Sequence, residues 1–256
     1  MSLLSIIKGI LNLQHKIDLK KLPSQGLFYK DDFELQIKKA ELSDIIEYEY
    51  NYDREDLGIV ITRLKNVVEK NVILSSGYTY NDIKSIDVVF LFLEIVKLTN
   101  KKPISVYYFN DISSKEEIIN FETTTFNYFE LDEETMTKYD RSSKEFNFDG
   151  YKYSVPSIGV ENVLTQFLLS KSLLPNSSVY NAYSYDFLYF LGNKSTLTFD
   201  EIDNLIQIFN FDISEVDQEN IRKIVKKLSV IGKYSLKKDS QIIDVTARID
   251  LGSIWK

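Results

Sequence analysis

The side chains that most often carry enzyme chemistry are scarce in this chain. None of its 256 residues is cysteine, and His15 is the single histidine. Thiolate nucleophiles, iron–sulfur clusters and cysteine-based zinc sites are therefore excluded. The serine–histidine triad and the His-Glu-x-x-His metal helix are effectively excluded as well. His15 itself is predicted to lie at the surface, so most familiar hydrolytic chemistry is absent.

Carboxylates are the remaining groups that could bind a cation or transfer protons. They occur in short acidic runs at Asp31-Asp32, Glu116-Glu117 and Asp132-Glu133-Glu134. None of these runs has the spacing of a calcium-binding loop, and acidic side chains outside such a pattern usually face solvent. The sequence therefore predicts a protein that is not an enzyme, with no catalytic residue, no metal site and no cofactor.

A tetrapeptide of turn-forming residues occurs twice, as Pro23-Ser24-Gln25-Gly26 and as Pro156-Ser157-Ile158-Gly159. Proline sets φ, serine can bond nearby backbone and glycine tolerates a positive φ, so two related turns are predicted. The first turn lacks the further glycines and the Lys-Ser/Thr pair of a phosphate loop. Aromatic rings follow it, which suggests a rigid docking surface for a partner protein, formed by Leu22, Pro23, Ser24, Gly26, Phe28 and Tyr29.

Basic side chains cluster late in the chain, around a predicted helix and hairpin, at Arg222, Lys223, Lys226 and Lys227. Their arrangement resembles the outline of a winged helix, in which cations meet phosphates. Against this, apolar residues at helical spacing would bury one side of the helix and turn the cations toward water. The chain also has 31 basic and 38 acidic residues, a net charge of −7. Nucleic acid is thus not an expected partner, and a nucleic-acid-binding regulator is the alternative function.

Hydrophobic periodicity predicts an α+β fold. In residues 1–100 a strand at Phe33–Lys38 alternates apolar and polar side chains, and a helix follows with Ser43 as its N-cap. Apolar residues then recur at helical spacing from Leu57 to Val68, at Leu57, Val60, Ile61, Leu64, Val67 and Val68. The stretch Ser85–Thr99 is apolar on nearly every side, which is typical of a central helix.

The period changes to two in residues 101–158, which predicts a β-rich segment. Aromatic residues flank Asp149-Gly150, and this dipeptide favours a tight turn, so a hairpin is predicted near residues 146–155. Residues 159–256 are predicted to be mainly helical, at about Val160–Leu174, Val179–Leu191, Thr198–Asn210 and Asp217–Ile231, with a capping box at Thr198. One or two terminal strands are predicted to follow, with Trp255 either anchoring the end of the chain or protruding toward a neighbour. These three parts are either separate regions or one compact unit.

Aromatic residues are unusually frequent, with 17 tyrosines and 16 phenylalanines. Tyrosine is enriched at protein interfaces because it buries area and keeps a polar tip. A biased composition rich in Asn, Lys, Ile, Tyr and Phe explains the same counts equally well. The N-terminal residues show neither a signal peptide nor a stretch long enough for a membrane span, which favours a cytosolic product.

The octapeptide Leu22–Tyr29, the strand that follows it and the Ser43-Asp44 helix start together resemble the baseplate proteins of T-even-type contractile-tailed bacteriophages. That family includes a baseplate hub subunit and a hub assembly factor, which acts as a chaperone. The resemblance covers about the first two thirds of the chain and does not separate these two members. It implies a noncatalytic role in building or forming the central baseplate hub.

The resemblance also implies the partners and the location. Other phage baseplate or tail proteins would be the partners, and a homo-oligomer arranged by symmetry about the tail axis stays open. A hub subunit would be found in the virion, in the tail baseplate. An assembly factor would act in the host cytoplasm and leave.

Overall fold

The computed structural model describes residues 14–49, 57–100, 104–110, 114–121, 126–170, 186–238 and 241–244. These ranges contain both helices and strands, which confirms the predicted α+β class. The helices are α1 (Leu42–Glu49), α2 (Leu57–Asn71), α3 (Val88–Asn100), α4 (Glu133–Met136), α5 (Ile158–Ser170), α6 (Phe199–Gln207) and α7 (Glu215–Leu228). The strands are β1 (His15–Lys16), β2 (Leu35–Ile37), β3 (Val72–Leu74), β4 (Ile104–Asn110), β5 (Lys115–Phe121), β6 (Phe126–Tyr128), β7 (Tyr139–Asp140), β8 (Glu145–Phe148), β9 (Tyr151–Tyr153), β10 (Tyr234–Lys238) and β11 (Gln241–Asp244).

The strands form small antiparallel sheets. Their orders are β1-β2-β3, β4-β5, β7-β8-β9 and β11-β10-β6. The last of these sheets joins β6, from the β-rich segment, to the C-terminal hairpin. Two short 3-10 turns, Tyr80–Asp82 and Ser85–Asp87, lie between β3 and α3. None of the helices in the described ranges has the length together with the apolar character that a bilayer crossing requires.

The first hydrophobic cluster is built around α3. This helix is buried from Phe90 through Val96, as its nearly uninterrupted apolar sequence predicts. The β1-β2-β3 sheet and α2 pack against it. The predicted stripe on α2 is only partly correct: Leu64, Val67 and Val68 are buried, but Ile61 is 42% exposed. The side chains of Leu57 and Val60 lie outside the described part of the chain.

The start of α1 differs from the prediction that Ser43 caps it. A cap at Ser43 would make Asp44 the first helical residue, but the helix begins two residues earlier, at Leu42. Asp44 is the reason, because its Oδ2 accepts the N–H of Glu41 at 3.0 Å. The same oxygen accepts Asn71 Nδ2 at 3.1 Å, so Asp44 is buried between the two helices and holds the chain in place ahead of Ser43.

The predicted hairpin is confirmed. Strands β8 and β9 pair with Phe148 opposite Tyr151, and the connecting Asp149 and Gly150 have φ values of 51° and 84°. Both residues thus adopt the left-handed conformation that a two-residue hairpin turn requires. Phe146 and Tyr153 on these strands are completely buried and belong to a second hydrophobic cluster with α7.

The C-terminal helices agree broadly with their predicted positions. Thr198 caps α6 and shares reciprocal bonds with Glu201, which confirms the predicted capping box. Helix α7 is capped by Ser214 and ends at Leu228, and the predicted terminal strands form the β10-β11 hairpin. Residues 186–190 are helical. The rest of the helix predicted before them, from Val179 to Tyr185, and Trp255 lie outside the described residues.

The three parts named from the sequence are joined by backbone hydrogen bonds. Strand β6 pairs with β10, and Lys84 forms an isolated antiparallel bridge with Ser157. Ser85 N–H donates to Pro156 O at 3.0 Å next to that bridge. These bonds cross both predicted boundaries, so they favour the interpretation as one compact unit.

Candidate functional site

The structure corrects the predicted docking surface at the first turn. Phe28 and Tyr29 are only 2% and 4% exposed, and Leu22 and Ser24 are completely buried. Pro23 is buried too, while Gly26 is half-buried. The prediction that these six residues present a surface to a partner is therefore wrong for the chain in this conformation. Most of their surface area is already buried within the protein.

The physical reason is that this segment lies between the first two of the three hydrophobic clusters in the described residues. The third cluster packs α5 against α6, through residues such as Leu164 and Ile202, and does not include this segment. Leu22 and Tyr29 belong to the first cluster, where the Tyr29 ring stacks on Phe33 with centroids 4.3 Å apart. Phe28 points into the second cluster, with its centroid 6.0 Å from that of Phe146. The two adjacent rings of this turn therefore anchor different clusters.

The two Pro-Ser-x-Gly segments do not form the related turns that were predicted. Gln25 and Gly26 have φ values of 54° and 73°, so the first segment is a left-handed turn. In the second, Ser157 Oγ accepts the N–H of Val160 at 3.3 Å and Gly159 lies inside α5. Gly159 is needed there because a Cβ would overlap Ser195 O. Both segments nevertheless contact residues 83–87. Ser24 N–H donates to Asp87, and Pro156 O accepts the N–H of Ser85.

A buried polar network connects the first turn to the start of α3. Asp87 Oδ1 accepts the N–H of Ser24 at 2.8 Å, and its Oδ2 accepts the hydroxyl of Tyr29 at 2.7 Å. The Tyr29 oxygen in turn accepts the N–H of Lys84 at 2.9 Å. Burial raises the pKa of Asp87 to about 6, although these hydrogen bonds and the Lys84 charge lower it in part. Burial and the Asp87 carboxylate raise the pKa of Tyr29.

Lys84 lies beside this network and is only 3% exposed. Its Nζ donates to Asn193 Oδ1. Burial lowers the pKa of Lys84 to about 8, against the opposing effect of Asp87, Asp82 and Glu145. Asn193 is itself held in place, because its N–H donates to Glu145 Oε1 at 2.7 Å and its Nδ2 donates to Phe28 O at 3.0 Å.

A cleft of about 100 Å³ opens above Lys84 and Asn193. It combines aromatic walls with three lysines and a single carboxylate, and it is lined by Phe28, Tyr29, Lys30, Phe33, Tyr78, Asp82, Lys84, Asn193, Lys194 and Ser195. A buried lysine with a lowered pKa can serve as a nucleophile or hold an anion. Perturbed titratable groups next to a cleft are typical of functional sites, although structural networks perturb them too.

Sequence reasoning missed this cleft for a simple reason. Lys84, Asp87 and Asn193 form no motif, and Lys84 and Asn193 are far apart along the chain. The one available signal was the presence of Lys84 and Asp87 beside an otherwise apolar helix. A buried charged residue requires a polar partner, so the position of these two residues indicates a polar contact but does not identify the partner.

Two of the four residues of the predicted basic patch form ion pairs within the chain. Arg222 pairs with Asp186 at 3.2 Å and lies over the Phe209 ring, and Lys223 is 3.9 Å from Glu219. Lys226 and Lys227 are exposed near the end of α7. The opposite side of the helix is buried through Ile221, Val225 and Leu228, as the apolar spacing predicts.

The most exposed large apolar side chains include two pairs that lie close together in sequence. Phe211, in the π-helical turn Ile208–Asp212 after α6, is 81% exposed, and Val216 in the first turn of α7 is 70% exposed. On the N-terminal side, Leu42 and Ile46 of α1 are exposed one helical turn apart. Contiguous patches of exposed apolar side chains, unlike single exposed ones, are typical of surfaces that bind other proteins.

Within the described ranges, no group of three or more metal-ligating side chains is placed to hold a metal ion. Comparison with protein-family models, with curated proteins and with solved structures gives no match.

Proposed function

We propose that this chain is a noncatalytic protein of a contractile phage tail baseplate, acting through contacts with other baseplate or tail proteins. It is either a hub subunit or the chaperone that assembles the hub. The observation that carries the proposal is the octapeptide Leu22–Tyr29, on which the resemblance rests. Its side chains join the first two hydrophobic clusters.

Because the first turn is buried, the contact surface that we propose is formed instead by exposed apolar side chains of the C-terminal helices. Phe211 and Val216 flank the short connection between α6 and α7. Their exposure costs solvation free energy in the isolated chain, and contact with a partner would recover it. In this surface Phe211 would provide the aromatic contact that Phe28 and Tyr29 cannot provide, because those two rings are buried.

The test of the proposal is mass spectrometry of purified virions and of infected-cell lysates. A hub subunit is expected in purified tails. An assembly factor is expected to be absent from tails and to co-purify from lysates with baseplate hub proteins. Absence from both fractions would overturn the proposal.

A variant pair tests the contact surface. Phe211→Ser combined with Val216→Ser should reduce recovery of baseplate proteins at least about tenfold, because two buried apolar side chains contribute several kcal/mol to an interface. Asp212→Asn is the matched control, since Asp212 is exposed in the same turn and carries little apolar area. Equal recovery with both proteins would exclude this surface.

One observation favours the alternative function, a nucleic-acid-binding regulator. Helices α6 and α7 precede the β10-β11 hairpin, an order that a winged helix shares, and Lys226 and Lys227 face solvent. The intramolecular partners of Arg222 and Lys223 weigh against it. Phosphate contacts weaken steeply with salt, so absence of DNA retention even at low salt would exclude this alternative.

A further inference from the structure

We propose that the cleft above Lys84 is a binding site for a small oxyanion, of the phosphate or carboxylate type. The inference does not depend on the baseplate proposal, because it uses only the geometry of the cleft. Its elements are a buried ammonium at the base, a fixed amide beside it, exposed lysines at the rim and an aromatic wall.

The buried ammonium is the main determinant. Lys84 is 3% exposed. Its acceptor within the described part of the chain is Asn193 Oδ1, which carries no charge. An ammonium has three donor hydrogens, so this bond leaves two for a ligand. The nearby Asp87 already accepts from Ser24 and Tyr29. A buried cation whose direct acceptor is neutral is stabilised when an anion enters the same cleft.

The charges around the rim favour the same ligand. Lys30 and Lys194 are exposed and line the cleft together with Lys84. The opposing carboxylate is Asp82, whose Oδ2 already accepts both the N–H and the hydroxyl of Thr79, at 2.7 and 3.0 Å. Lys194 also pairs with Glu201 at 3.0 Å, so this lysine is held near the rim. Outside the lining, Asp87 and Glu145 also oppose the Lys84 charge, and both already accept hydrogen bonds, from Ser24 and Tyr29 and from Asn193. Among the residues that line the cleft itself, three are lysines and one is a carboxylate.

The size and walls of the cleft define the class of ligand. A volume of about 100 Å³ is enough for a phosphate ion or for the carboxylate end of an acidic side chain. The amide of Asn193 is fixed by Glu145 and Phe28, so the polar floor is preorganised and little ordering free energy is lost on binding.

The experiment measures anion binding to the full chain at matched ionic strength. Inorganic phosphate, acetate and chloride are each titrated, and the melting temperature and the Nζ titration of Lys84 by NMR are recorded. Phosphate or acetate should raise both the melting temperature and the pKa of Lys84 relative to chloride, because an anion bound at Nζ favours the charged form. A stronger effect of phosphate indicates a free oxyanion as ligand, and a stronger effect of acetate indicates an acidic side chain of a partner.

Lys84→Met should weaken binding at least about tenfold, since it removes a charge-assisted hydrogen bond. Lys223→Met is the matched control, because Lys223 is an exposed lysine on α7 and does not line the cleft; it should bind like the unmodified chain. If Lys84→Met fails to fold, the rim variants Lys30→Gln and Lys194→Gln are compared instead, and each should weaken binding. Equal responses to phosphate, acetate and chloride in the unmodified chain would overturn the proposal, as would unchanged binding in the variants.

Discussion

Asp87 is the residue whose environment has the clearest energetic consequence. Its folded-state pKa of about 6 lies above the ordinary value of 3.8 for an aspartate, because burial disfavours the carboxylate. Between these two pH values the folded chain therefore binds more protons at this site than the unfolded chain does. The contribution of Asp87 to the free energy of unfolding consequently falls as pH rises through this window and stays low above it.

Asp87→Asn should remove this pH dependence. Relative to the variant, the unmodified chain should lose up to roughly 3 kcal/mol of unfolding free energy between about pH 4 and about pH 7. Urea unfolding at a series of pH values measures the difference. The comparison cancels other carboxylates, such as Asp140, whose pKa is lowered to about 2 by hydrogen bonds from Ser142 and Ser143. Parallel stability curves for the two proteins would show that Asp87 does not titrate in this range.

At the scale of elements, the start of α5 positions the loop that forms one wall of the cleft. Ser157 Oγ donates to Ser195 O at 3.1 Å, and Gly159 allows the same carbonyl to approach the helix. Asn81 packs on the other side, where a Cβ on residue 159 would lie 2.9 Å from its Cβ. The contact requires glycine for its absence of a side chain and not for its dihedral angles, because Gly159 has helical geometry.

Gly159→Ala should destabilise the fold by about 3 kcal/mol, since overpacking against a backbone oxygen forces the loop to shift. The matched control is Gly77→Ala, where nothing lies within 4 Å of the added Cβ but φ is 91°. It should cost only about 1 kcal/mol, the penalty of a left-handed conformation less the gain from a stiffer unfolded chain. Thermal unfolding of both variants tests this order, which would be contradicted by a smaller loss at Gly159.

For the whole molecule, the octapeptide Leu22–Tyr29 couples the first two hydrophobic clusters. Tyr29 bonds Asp87 and Lys84 on one side, and Phe28 packs with the hairpin aromatics on the other. Strand β6 adds a second connection through its pairing with β10. Neither cluster can open at this junction without disturbing the other, so a single cooperative unfolding transition is expected.

Tyr29→Phe should lower the free energy of unfolding by about 2 kcal/mol, because it leaves Asp87 Oδ2 without its hydrogen bond from Tyr29 and the N–H of Lys84 without its acceptor. Hydrogen exchange should show that α3 and α7 lose protection together, since both depend on the same junction. Tyr78→Phe is the control: its hydroxyl donates to Asp32 at the surface, and its loss should cost less than 1 kcal/mol. Loss of protection confined to α3 would show that the clusters unfold independently.

Features that depend on neighbouring residues were predictable from the sequence. The Asp149-Gly150 hairpin, the Thr198 capping box, the apolar α3 and the buried side of α7 all follow from local spacing and dihedral preference. The predicted start of α1 was wrong because of Asp44, which accepts the N–H of Glu41 just before the helix. The same carboxylate also bonds Asn71 on another helix, and that contact has no local signature.

The candidate site belongs to the tertiary structure. The sequence established that rings follow a rigid turn at Pro23, but it did not determine whether Phe28 and Tyr29 face a partner or the interior. Lys84 and Asn193 likewise meet only because the packing of distant segments brings them together. Local preferences decide which elements form, whereas burial and charge pairing depend on which surfaces meet. The sequence by itself determined the elements, and the tertiary structure alone decided that the turn is a junction between clusters and that a cationic cleft lies beside it.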